Sequence, residues 1–149
     1  MTPDSTGETI HASAVLLGEA GILVRGRSGS GKSSLVLALL EAFPGSARLV
    51  ADDRVLLTPA GFRLLAAVPP VLAGQIEVRG LGILHRDHIS PVVLRLVIDL
   101  LPPADCPRLP SEEEQSVTLS GVRLARLILP EGAADPSRVR LRLSALCTG

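Results

Sequence analysis

The chain has 149 residues, a formal charge of zero and an aliphatic apolar fraction large enough for one domain with a real core. Phe43 and Phe62 are its only aromatics, and its basic residues are arginines apart from Lys32. With no lysine-rich arm and no aromatic-spaced basic patch, sequence-independent nucleic-acid binding has little electrostatic support. No apolar stretch reaches the roughly 18 residues that a membrane span needs, and the polar N-terminus has no signal-peptide pattern.

Residues 1–9 are polar, with Pro3 and Gly7, and are expected to form a frayed tail ahead of a catalytic unit over 10–149. Ile10–Leu17 has strand character and turns at Gly18-Glu19 into a buried strand, Ala20–Val24. There follows Gly26-Arg27-Ser28-Gly29-Ser30-Gly31-Lys32-Ser33, which matches the phosphate-loop pattern GxxxxGK[ST] at every fixed position. Glycines let backbone N–H groups approach phosphate oxygens, Lys32 is suited to the β- and γ-phosphates, and Ser33 to a Mg²⁺ shell. Ser33–Phe43 is built of helix formers and stops at Pro44-Gly45, so a helix N-terminus faces the phosphates. Strand, glycine loop and helix together predict nucleoside triphosphate binding by Gly26, Ser28, Gly29, Ser30, Gly31, Lys32, Ser33 and Ser34.

Arg48-Leu49-Val50 runs into Asp52 and Asp53, about twenty residues after Lys32, where phosphate-loop proteins often carry the carboxylate that organises Mg²⁺. At a strand end, alternation lets one carboxylate face the metal and the other an acceptor. That division favours transfer to a hydroxyl over hydrolysis. Pro59-Ala60-Gly61 is turn chemistry, and Arg63–Val68 is a further strand. In Gln75–Leu84, alternation would put Glu77 and Arg79 on one face, with Gly80 and Gly82 admitting another backbone. On spacing alone this is equally a surface strand with an ion pair or part of a site.

Val92–Leu100 reads as a buried strand, Pro102–Ser116 as a polar loop and Val122–Leu129 as a half-exposed strand. From Asp135 the sequence offers an N-cap followed by Pro136, yet Val139, Leu141 and Leu143 alternate at the strand period; the helix is favoured. Strands outnumber helices and short turns join them, so a mixed sheet with few parallel crossovers is expected. Cys106 and Cys147 have no metal-type spacing and read as reduced cytosolic thiols.

His11, the phosphate loop, Leu49–Val55 (LVADDRV) and Glu77–Ile83 (EVRGLGI) together resemble the catalytic domain of the HPr kinase/phosphorylase family, in the same order and with nearly the same spacing over residues 10–130. The resemblance implies an α/β phosphate-loop fold like that of phosphoenolpyruvate carboxykinase, with a mixed sheet. It implies ATP and Mg²⁺ as cofactors, a cytoplasmic homohexamer, and phosphorylation of the phosphocarrier protein HPr on a serine. Residue by residue, it implies Asp52 as general base assisted by His11, and Lys32, Arg79 and Arg108 in catalysis. Ser33 and Glu77 would hold Mg²⁺ with Asp53 beside them. By residue type alone, His11 reads as structural and Arg108 as an ordinary loop charge.

Four departures from the family pattern stand out. Its N-terminal domain is expected to be missing, as in short forms; Ser34 replaces a usual Glu; and three extra residues lengthen the stretch around Phe43-Pro44-Gly45. The segment PVRPGRN, linked to dephosphorylation, becomes Pro130-Glu131-Gly132-Ala133-Ala134-Asp135-Pro136-Ser137-Arg138. Fewer arginines and added acids should disfavour capture of free phosphate, so weak or absent phosphorolysis is expected. A small-metabolite kinase, or a non-catalytic nucleotide-sensing module docking on a sensor histidine kinase, are the competing functions.

Overall fold

The computed structural model describes residues 7–148. Eleven strands and two α-helices follow in the order β1 (Glu8–His11), β2 (Ser13–Leu17), β3 (Ala20–Gly26), α1 (Lys32–Ala42), β4 (Ala47–Ala51), β5 (Arg54–Ala60), β6 (Arg63–Ala67), β7 (Gln75–Val78), β8 (Gly82–His85), β9 (Val92–Leu101), β10 (Ser116–Leu119), β11 (Val122–Pro130) and α2 (Pro136–Thr148). Nine strands form one mixed sheet along the path β1-β5-β6-β9-β3-β2-β4, with β11 on β9 and β10 on β11. Only β3–β9 and β9–β11 are parallel pairs within it. The mixed α/β sheet is the fold class expected from the sequence.

β9 is the hub. Its first residues pair antiparallel with β6 (Val92↔Ala66, Val93↔Leu65), and Leu96–Leu101 pair with β11. Leu94–Leu100 runs parallel to β3. Both faces of this centre are covered, which is why β3 and β9 are mostly apolar, with Arg25, Arg95 and Asp99 as their charged residues. Ile22, Val24, Leu96, Ile98 and Leu100 pack with Leu35, Val36 and Leu39 of α1 and Val139 of α2. Leu23 and Val97 point the other way, into a second cluster with Val55, Leu57, Leu64, Val122 and Leu124.

Several boundaries differ from the sequence expectation for identifiable reasons. The strand expected over Ile10–Leu17 is two strands. β1 pairs β5, β2 pairs β3 and β4, and the fully buried Ala12 between them bonds the Asp53 carbonyl. Because β1 starts at Glu8, the expected tail is too long by two residues; residues 1–6 lie outside those described. The turn expected at Pro59-Ala60-Gly61 moves to Gly61-Phe62, with Pro59 paired opposite Leu64 in β5. Pro59 is tolerated there because it lies beyond the described pairing of β1 with β5, which ends at Glu8 opposite Leu57. The final helix forms as favoured, with Asp135 Oδ1 accepting the Arg138 N–H at 3.2 Å. Cys147 falls among residues whose side chains are not described.

Candidate active site

β3 delivers the loop Gly26–Ser33, and α1 begins inside it at Lys32. The loop folds tightly on itself. A Cβ on Gly26 would collide with the Ser30 side chain, so only glycine fits where the loop leaves β3. The Lys32 ammonium donates to the carbonyls of Gly26 (2.8 Å) and Arg27 (3.1 Å), spanning the loop interior. Ser30 is buried and its Oγ has no hydrogen-bond partner.

Beside the loop, β4 carries an irregularity. Ala14 and Val15 of β2 face Ala51 and Leu49, so Val50 is an extra residue just before the acidic pair. Asp52 is then aimed inward and is 6% exposed. Its Oδ1 accepts from Ser33 Oγ (2.6 Å) and Ser13 Oγ (2.8 Å), and its Oδ2 from the Glu77 N–H (3.0 Å). Asp53 does the opposite. The Arg54 N–H bonds the Asp52 carbonyl at 2.8 Å, a γ-turn centred on Asp53 at φ 73°. The Asp53 side chain is 69% exposed, with its Oδ1 3.8 Å from His11 Nδ1.

His11 sits beside Asp53, not Asp52, and the partner of Ser33 is Asp52, not Asp53. Strand alternation presumed extended backbone through both acids, whereas the left-handed turn at Asp53 decides where each points.

A cleft of about 590 Å³ opens over the loop, lined by Ser28, Gly29, Gly31, Lys32, Ser33 and Ser34 on one side. Asp53, Glu77, Val78, Arg79, Gly80, Gly82, Ser13 and Gly132 complete it. Ile76, fully buried, anchors the β7–β8 hairpin so that exposed Glu77 meets the cleft. Glu77 and Arg79 share this cleft, but not by strand alternation: Arg79 lies in the turn closed by Leu81 N–H to the Val78 carbonyl (2.9 Å). Nor do Gly80 and Gly82 admit another backbone. Nothing lies within 4 Å of a Cβ built on either, and their φ values of 89° and 100° are what require glycine.

Arg108 is exposed on the connection after β9 and does not line the cleft. Ser13 and Gly132 are site residues that motif reading missed. Ser13 left a signal, a hydroxyl at the head of the apolar run SAVLL, since a buried polar group needs a partner.

The segment Pro130–Ala133 reaches the loop directly. Gly132 N–H donates to the Ser30 carbonyl (2.9 Å), and Arg27 forks onto Glu131 through Nε (2.6 Å) and an η nitrogen (2.7 Å). That hydrogen-bonded pairing raises the Arg27 pKa and lowers that of Glu131. Behind the loop, Arg25 and Arg126 both bond Asp99. Burial opposes the Asp99 charge, but the two guanidinium groups outweigh it and hold the carboxyl below its usual range.

A family profile, the HPr Serine kinase C-terminal domain, matches residues 5–130. The chain belongs to this family. Among relatives, it is 39% identical to the HPr kinase/phosphorylase of Azoarcus sp. (strain BH72) over 140 residues, covering 86% of this chain and 44% of that protein. The HPr kinase/phosphorylase of Xylella fastidiosa (strain M12) is 36% identical over 123 residues, covering 77% and 38%. The chain thus spans less than half the length of these relatives. The solved Hpr(Ser) kinase/phosphatase from Coxiella burnetii superposes with a TM-score of 0.81 at 23% identity, over 95% of this chain and 97% of that one. The fold is therefore that of an HPr kinase C-terminal domain. Among the described residues, no helix is long and apolar enough to cross a membrane.

Proposed function

We propose that this chain transfers the γ-phosphoryl group of ATP to a serine hydroxyl of HPr. The observation that carries the reading is the divergence of two adjacent carboxylates at the phosphate loop. Asp52 is buried against Ser33, while Asp53 is exposed in the cleft with His11 beside it. Loop amides and the Lys32 ammonium receive the β- and γ-phosphates, Lys32 exchanging two carbonyl bonds for phosphate oxygens.

Ser33 Oγ, which lines the cleft, and Asp52 Oδ1 buried behind it would supply hard oxygen donors where α1 begins. Among the described residues no three acids, histidines or cysteines converge as a metal cage. That donor set suits Mg²⁺, which keeps several waters and arrives with the triphosphate rather than residing in a protein-only site. When bound, the ion neutralises charge on the phosphates.

Asp53, not Asp52, is the base in this reading. It takes the proton of the acceptor serine as the serine oxygen bonds the γ-phosphorus and the bond to the β-phosphate oxygen breaks, leaving ADP. His11 orients the Asp53 carboxylate and Arg79 faces the transferred group from the hairpin turn. The reverse reaction, which needs free phosphate in the same cleft, is weak or absent. Glu131 places a carboxylate beside the loop, where it disfavours a small free anion, and holds the Arg27 guanidinium away from the cleft. Cytoplasmic location and a homohexamer belong to the same reading, by family resemblance.

The test is incubation with γ-labelled ATP, Mg²⁺ and HPr from the same genome. Acid-stable label on HPr is expected, lost in Lys32→Ala and reduced about 10²–10⁴-fold in Asp53→Ala. Nucleotide binding without transfer to any acceptor would instead favour a sensing module, and full transfer by Asp53→Ala would remove that residue from the chemistry. Added phosphate should release little pyrophosphate from phospho-HPr.

A further inference from the structure

We propose that Glu131 is a positioning residue for the phosphate loop, gripping Arg27 from the end of β11 so that the loop holds its binding shape before a nucleotide arrives. The inference rests on the loop being the nucleotide site. Three features of the geometry lead to it.

First, the turn bearing Glu131 is itself fixed. Glu131 N–H bonds the Leu101 carbonyl at the end of β9 (2.8 Å), and Ala133 N–H bonds that of Pro130 (3.0 Å). The grip is therefore anchored in the central strand pair. Second, the turn holds the loop at two separate points. The Arg27 fork contacts both carboxylate oxygens of Glu131, and Gly132 N–H meets the Ser30 carbonyl. A planar bidentate pair fixes orientation as well as distance. Third, apart from Ser33, tied to Asp52 where α1 begins, the loop has little side-chain support of its own. Among the described residues, Ser30 Oγ is buried without a partner, and Lys32 bonds the carbonyls of Gly26 and Arg27. Arg27 does not line the cleft, so in this geometry it braces rather than binds phosphate.

The Arg27 side chain is 70% exposed and that of Glu131 16%, and an ion pair open to solvent on its cationic side contributes little to global stability. That separates a positioning role from a merely structural one: its loss should loosen the loop without lowering the melting temperature of the domain. The loop then has to be ordered by the nucleotide, which lowers affinity rather than slowing chemistry.

Amide hydrogen exchange on the nucleotide-free chain reads the brace without any ligand. Glu131→Gln should speed exchange over residues 27–33 about tenfold while β3 and β9 keep their protection. In the same variant, ATP binding with Mg²⁺ should weaken about five- to tenfold, with kcat for transfer to HPr within about twofold of the parent. Arg27→Lys should behave like Glu131→Gln, because an ammonium cannot reproduce the fork. The charge swap Arg27→Glu/Glu131→Arg should restore both exchange protection and affinity. Unchanged loop exchange in Glu131→Gln overturns the brace. Faster exchange with unchanged or tighter ATP binding overturns its bearing on the nucleotide. A parent chain that fails to bind ATP refutes the nucleotide site, while the exchange arm still judges the brace. If Glu131→Gln melts well below the parent, the swap decides: restored melting without restored loop protection overturns the proposal.

Discussion

At Asp53 the backbone passes through φ 73°, a region that costs a non-glycine residue about 1–3 kcal/mol, and it does so between β4 and β5. The turn sends the carboxylate out beside His11 while Asp52 stays buried. Asp53→Gly should therefore raise unfolding free energy by about 1 kcal/mol in urea titration while abolishing transfer to HPr. Stabilisation without loss of transfer would sever the link between this backbone and catalysis. Asp52 shows the converse dependence. Asp52→Ala strands Ser13, Ser33 and the Glu77 N–H without their acceptor and should cost about 2–4 kcal/mol, read in the same titration. That the acidic pair belongs to the site was legible from its spacing to Lys32. Which acid faces which way was not, because it depends on a γ-turn and on the extra residue Val50, and neither leaves a residue pattern.

Among the elements, β9 joins the site to the core; of its two charged residues, Arg95 is exposed and Asp99 is buried. Asp99 bridges Arg25 and Arg126, whose side chains remain 29% and 22% exposed. Because its folded pKa lies below the unfolded value, the stability it provides is fully present above the ordinary carboxylate range and is lost as pH falls through the folded value. Asp99→Asn should lower the urea midpoint at pH 7 by the equivalent of about 2 kcal/mol, allowing for partial solvent screening. The gap between variant and parent should narrow below about pH 4; a gap constant with pH would assign the loss to packing. The strand was readable from its aliphatic content despite Arg95 and Asp99. The β7–β8 hairpin was misread in detail, since Gly80 and Gly82 look the same in sequence whether glycine is needed for space or for positive φ.

Taken whole, the molecule is an aliphatic sheet wrapped around β3 and β9, with one phenylalanine, Phe43, packed against the core and the other, Phe62, 99% exposed. Leu96, fully buried beneath α1, should cost about 2–5 kcal/mol when replaced by Ala, whereas Phe62→Ser should change stability by less than about 0.5 kcal/mol. Fold class was legible because apolar periodicity and turn chemistry agree along most of the chain. The junction at Ala12 was not, since a switch of strand partner shows in no local pattern.

The parallel pairing of β3 with β9 has a consequence during synthesis. The phosphate loop and its helix are made early, yet the strand that supports them lies some seventy residues later in register, Gly21 opposite Leu94 and Gly26 opposite Leu100. A nascent chain stalled on the ribosome with residue 90 at the tunnel mouth should not retain ATP on a nucleotide column, and one with the whole of β9 and β11 outside should.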